Sequence, residues 1–171
     1  MRRIILAVLV LCACLAAQTS PAKPTPASAF SDVDFLLGEW VGAGGGQPGA
    51  ATAGEASFRL ELNGQVMVRR SFAEYGKQRH DDLLYIYRDA ATAPLRAIYF
   101  DSEGHTIHYG VSAGIKDGHR WVTFDSDPSQ PGPRFRLSYS QSDKGVNGKF
   151  EMLPPGAAEY QTYLTWTSVK K

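Results

Sequence analysis

The sequence predicts an all-β protein: a closed antiparallel up-and-down barrel of about ten strands, preceded by a short N-terminal helical turn. Three observations predict it. Beyond Gly38 no window of about 11 residues has helical apolar spacing. Short runs that alternate apolar and polar residues fill the chain instead. They are separated by Gly, Pro, Asn and Asp at the places where turns need them.

Ser31-Asp32-Val33-Asp34 followed by Phe35-Leu36-Leu37 and Gly38 is the pattern of a capped helical turn with a glycine stop. The first strand is expected at Glu39 to Ala43, before the glycine-rich bend Gly44 to Gly49. The second, Glu55 to Leu62, puts Ala56, Phe58, Leu60 and Leu62 on one face. Asn63-Gly64 is a strong hairpin signal, because a type I′ turn needs two residues that tolerate positive φ. It leads into the third strand, Gln65 to Tyr75. The next four are expected at His80 to Arg88, Leu95 to Phe100, His105 to Ser112 and His119 to Phe124. Arg134 to Ser140, Val146 to Leu153 and Tyr160 to Val169 complete the series.

A meander of this length leaves exposed strand edges unless it curls and closes. A barrel of more than about eight strands has more interior than side chains readily fill, which makes a ligand chamber a geometric expectation. The competing architecture is a sandwich of two sheets with a filled core.

The 171 residues are 43% apolar and 20% charged, with a net charge of +1, which argues against disorder and against nucleic-acid binding by bulk charge. Met1 to Ala17 has two arginines, an apolar run and then small residues, the pattern of an export signal. Without Arg2 and Arg3 the rest of the chain has 16 basic and 17 acidic residues, so no basic surface for anionic lipid is expected either. The only two cysteines, Cys12 and Cys14, lie in this segment, which removes thiol and disulfide chemistry from the folded part. Leu11-Cys12-Ala13-Cys14 resembles a bacterial lipoprotein signal, with Cys14 as the lipidated residue; simple cleavage after Ala17 is the alternative. Residues 18–29 are rich in Pro, Ala, Ser and Thr and read as a tether. The barrel is expected over residues 30–171, in the periplasm or cell envelope, touching a membrane only through a lipid on Cys14.

Phe35 to Gly44, with Gly38-Glu39-Trp40 and the longer Gly-x-Trp-x-Gly-x-Gly pattern, resembles the opening of calycin-type barrels. The likeness is to lipocalins and to the nitrobindin-like, fatty-acid-binding-protein-like branch. Arg96 to His105 and Tyr163 to Trp166 are similar to an uncharacterised bacterial group of exported lipocalin-like proteins. The resemblance implies a ten-stranded barrel that holds a small hydrophobic or amphipathic molecule. It implies structural roles for Gly38 and for Trp40, the latter as a plug of the closed end. In nitrobindin-like relatives it would also imply haem on a histidine near the C-terminus. Tyr160 to Lys171 contain no histidine, so no cofactor is expected, with haem through another histidine such as His105 as the alternative.

Strand parity places Phe58, Leu60, Val66, Val68, Phe72, Ile107, Tyr109, Phe135, Leu137, Tyr139, Phe150, Met152, Leu164 and Trp166 inward. Arg70 falls between Val68 and Phe72, and a buried arginine requires a partner. It either anchors a ligand's acidic head, or is turned outward by a bulge beside Arg69, or is satisfied by an acid such as Glu74. His105 follows the Asp101 to Gly104 turn and is expected at the rim. It is read as a ligand contact, as an acid–base partner of Asp101 in an enzyme built on the same scaffold, or as a hairpin-tip histidine. His80, Asp81 and Asp82 read as a solvated turn, without zinc or calcium spacing. No Gly-x-Ser-x-Gly elbow or phosphate-cradling motif is present, and no metal is expected. The expected ligand contacts are Arg70, His105, Tyr109, Phe58, Val68, Phe72 and Tyr139.

Overall fold

The structure is a computed structural model that describes residues 29–42, 51, 53–129 and 131–171. The export signal, nearly all of the tether, Cys14 and the Gly44 to Gly49 bend lie outside the described residues. Ten strands follow one turn of 3₁₀ helix at Asp34–Leu36. They are β1 (Gly38–Gly42), β2 (Ala53–Glu61), β3 (Val66–Tyr75), β4 (Gln78–Arg88), β5 (Leu95–Asp101), β6 (Thr106–Lys116), β7 (His119–Ser126), β8 (Arg134–Ser142), β9 (Gly145–Leu153) and β10 (Gln161–Lys170).

Each strand pairs antiparallel with its sequence neighbour, and β1 pairs with β10 through Trp40↔Lys170, Val41↔Val169 and Gly42↔Ser168. The sheet is therefore a closed barrel without free edges, not a sandwich. The turns are set by local chemistry. Asn63 and Gly64 have φ of 55° and 75°, and Asp117 and Gly118 have 51° and 79°, the left-handed pairs that tight hairpins require.

One end of the barrel is filled. Phe30, Val33 and Leu36 on the N-terminal turn are at most 1% exposed, and they meet inward residues such as Met67, Ile86 and Val122. No side chain caps the turn, contrary to the Ser/Asp pattern. Arginines of the barrel wall clasp it instead: Arg120 bonds Asp34 and the Ser31 carbonyl, and Arg88 Nε donates to the Ala29 carbonyl at 3.0 Å. Trp40 is 5% exposed, and its indole N–H donates to the Leu36 carbonyl at 2.7 Å. Gly38 lies between turn and tryptophan at φ 129°, where a side chain would strain the backbone. At the opposite end the inward residues Ala73, Tyr75, Phe135, Phe150, Met152 and Leu164 are only half-buried.

Candidate functional site

Two hairpins decide what faces the interior of the half-open end. The β2–β3 turn pairs Phe58 with Arg69 and Leu60 with Met67, and cross-strand partners share a face. Inward Phe58 and Leu60 therefore bring Met67, Arg69 and Ser71 inward. The β3–β4 turn pairs Tyr75 with Gln78, Ala73 with His80 and Ser71 with Asp82, so His80 and Asp82 join them. Asp82 is diagonal to Arg69 across the ladder, within reach of a long side chain.

Arg69 is 5% exposed and forms an ion pair with the partly buried Asp82, while a second guanidinium nitrogen bonds the Tyr139 hydroxyl from across the barrel. Its Nε has no partner. Burial alone would lower the basicity of Arg69, but Asp82 and Tyr139 outweigh it, and the group is held firmly cationic. Asp82 Oδ1 also accepts from the Ser71 hydroxyl at 2.7 Å. Farther out, His80 is held from both sides. Its Nδ1 is 2.7 Å from Glu103 and its Nε2 is 3.0 Å from the Tyr99 hydroxyl and 3.7 Å from Asp82. Burial pushes the Tyr99, Tyr109 and Tyr139 hydroxyls well above the ordinary tyrosine range, and Asp82 adds to it in each case, so they remain neutral hydrogen-bonding groups.

The opposite wall is aromatic. Tyr139 meets Phe58, Phe124 and Trp166 edge to face, at centroid distances of 5.7, 6.3 and 5.8 Å. Phe135 and Phe150 stack at 5.7 Å above them. Trp166 lies flat over Gly148, where a Cβ would stand 2.0 Å from its ring. One side of the barrel interior at the half-open end is thus charged and hydrogen-bonding and the other is apolar, an arrangement chemically suited to an amphipathic small molecule.

Of the expected contacts, Phe58, Tyr109 and Tyr139 face inward, at 3%, 2% and 5% exposure. The expected face of β3 is corrected. Arg70, Val66, Val68 and Phe72 are on the outside, because the hairpin register and not the apolar spacing of β3 sets the face. The pairing of β2 with β3 is continuous and contains no bulge. Arg70 is 58% exposed and lies 3.9 Å from Glu61. Phe72 stacks under Arg79 at 3.9 Å, and Val68 is buried on the outer surface, in register with Arg59 and Tyr85. The solvated-turn reading of His80 and Asp82 is corrected too, since only Asp81 of that trio points out, to Arg79.

His105 lies at the half-open end, its side chain 68% exposed, with Nδ1 2.8 Å from Asp101 Oδ2. Asp101 is almost buried, and its Oδ1 accepts the His105 and Glu103 backbone N–H groups at 2.8 and 3.1 Å. Burial opposes ionisation there but is outweighed by these bonds, and the carboxyl is held below the ordinary aspartate range. The arrangement is that of a capped turn.

His80, Asp101 and Glu103 each offer one donor atom within 4.8 Å of the others, a nitrogen–oxygen set for a divalent ion. Those donors already satisfy one another and the turn backbone. A shallow recess of about 370 Å³, lined by Lys116, His119, Arg120 and Trp121 among others, lies at the filled end of the barrel, away from Arg69 and the aromatic wall.

Nothing in the strand pattern singles out Arg69, Ser71 or Glu103, and His80 and Asp82 read there only as a solvated turn. The signal that finds the first of them is the hairpin itself, since an Asn63-Gly64 turn between an inward Phe58 and its partner leaves Arg69 no other face.

No protein-family model and no curated protein matches the chain. Among solved structures it is similar to the crystal structure of Rv2717c from M. tuberculosis, with a TM-score of 0.61 and 12% identity over 84% of this chain and 97% of that one. At that identity the likeness is one of fold, and it agrees with a calycin-like barrel at the level of architecture.

Proposed function

We propose that the chain is an exported binding protein that holds a small hydrophobic or amphipathic molecule in the half-open end of its barrel, in the manner of the calycin-type proteins it resembles. Export rests on the Met1 to Ala17 pattern. One observation carries the binding reading: a closed barrel sets a buried arginine with an unpartnered N–H opposite a wall of aromatic rings, and leaves Phe135, Phe150 and Leu164 half-covered. Burial of a ligand's apolar body would drive association, at roughly 25 cal/mol per Å² removed from water, and the polar wall would orient it. The site contact expected of Arg70 passes to Arg69.

The test is binding of the neutral fluorophore Nile red, together with mass spectrometry of an organic extract of the purified protein. A saturable site with one dye per chain is expected, lost in Phe150→Glu while the β-sheet circular dichroism persists. An empty extract combined with no saturable dye binding refutes the reading.

A further inference from the structure

We infer that Asp82 sets the charge selectivity of the chamber, so that the head group recognised at Arg69 is an uncharged hydrogen-bond acceptor, a carbonyl or hydroxyl oxygen, and not a carboxylate. The inference rests on the binding reading above and goes beyond it by naming the ligand's chemical class.

A buried arginine in a barrel invites the opposite conclusion, but its charge is already cancelled. Asp82 holds one guanidinium nitrogen and Tyr139 another, and the side chains of the ion pair are only 6% and 10% exposed. Charged and titratable groups beside the pair are His80 on β4 and, on β5 and the turn after it, Asp101, Glu103 and His105, the last bonded to Asp101. The hydroxyls of Ser71, Tyr99, Tyr109 and Tyr139 add no charge. Even with both histidines counted as cations beside Arg69, the three carboxylates leave this wall without net positive charge. A ligand carboxylate entering here would give up its hydration and meet Asp82 and Glu103, with the Arg69 guanidinium already committed to Asp82.

What the wall lacks is one acceptor. Arg69 Nε is buried and unbonded, and a neutral oxygen supplies its partner without adding an uncompensated charge. The aromatic wall, led by Phe135 and Phe150, faces the apolar remainder of such a molecule.

The experiment is displacement of Nile red from the full chain at pH 7.5 by three probes of equal chain length: decanol, decanamide and decanoate. Wild type is expected to bind the alcohol and the amide at least about tenfold more tightly than the carboxylate, a difference one charge-assisted hydrogen bond can supply. Asp82→Asn frees the arginine's charge and should reverse the order in favour of decanoate. Arg69→Gln combined with Asp82→Asn should abolish that reversal. The wild-type ranking needs no variant, so it tests the idea even where a substitution unfolds the barrel. Decanoate binding to wild type as tightly as decanol overturns the inference and leaves the binding reading intact. Failure of Nile red to bind any form removes the binding reading, and the inference with it.

Discussion

Arg69 and Arg70 are neighbours in sequence and opposites in environment, and replacing each by methionine tests the register that built the site. Arg69 and its partner Asp82 are 6% and 10% exposed, whereas Arg70 and Glu61 are 58% and 42% exposed and 3.9 Å apart. Removing one member of a buried pair strands the other and costs about 3–5 kcal/mol, while an exposed pair contributes about 0–1 kcal/mol. Arg69→Met also leaves the Tyr139 hydroxyl without its partner. For a domain of this size the loss lowers Tm by about 6–20 °C, against about 4 °C or less for Arg70→Met. Adding Asp82→Leu to Arg69→Met removes the stranded charge and should recover most of the stability, since apolar replacement of a whole buried pair is often neutral or better. Urea unfolding of the three variants, followed by circular dichroism, gives the values. The reasoning is refuted if Arg70→Met costs as much as Arg69→Met, or if the double variant is no more stable than the single one.

Gly148→Ala drives a methyl to 2.0 Å from the Trp166 ring, so it should cost about 1–3 kcal/mol in urea and shift tryptophan emission; an unchanged midpoint would remove Trp166 from that position. Asp101 is held below its ordinary value of 3.8, so its bonds to the turn stabilise the folded state above that pH. That contribution fades as pH falls through the lower folded-state value. Asp101→Asn should therefore destabilise at pH 7 and lose much less stability than wild type between pH 4 and 2 (about 5 to about 1 being the span over which such groups act), as measured by thermal melts across pH.

The strands were largely legible from the sequence because what makes a strand here is local. Alternation in Glu55 to Leu62 and Arg134 to Ser140, and the Asn63-Gly64 and Asp117-Gly118 turns, act over a few residues, and the ten runs they delimit are the ten strands observed. Phe58, Tyr109 and Tyr139 were placed inward because each of their strands is apolar on that face. β3 was not legible in the same way. Val66, Val68 and Phe72 offer a better apolar stripe than Met67, Arg69 and Ser71, yet they cover the outside of the barrel. There Phe72 lies under Arg79, and Tyr85 meets Phe100 edge to face at 6.2 Å.

The sequence by itself determined the number and order of the strands, the positions of the tightest turns, and hence a meander long enough to close. Only the tertiary structure decided which face of β3 looks inward, and with it the whole polar wall. The reason is that alternation has a period of two and says nothing about sign when both faces carry apolar side chains. The sign comes from the partner strand. Once Phe58 is committed to the interior, its register opposite Arg69 commits that arginine as well, and the cost of burying it is met by Asp82 and by Tyr139, 70 positions farther along the chain.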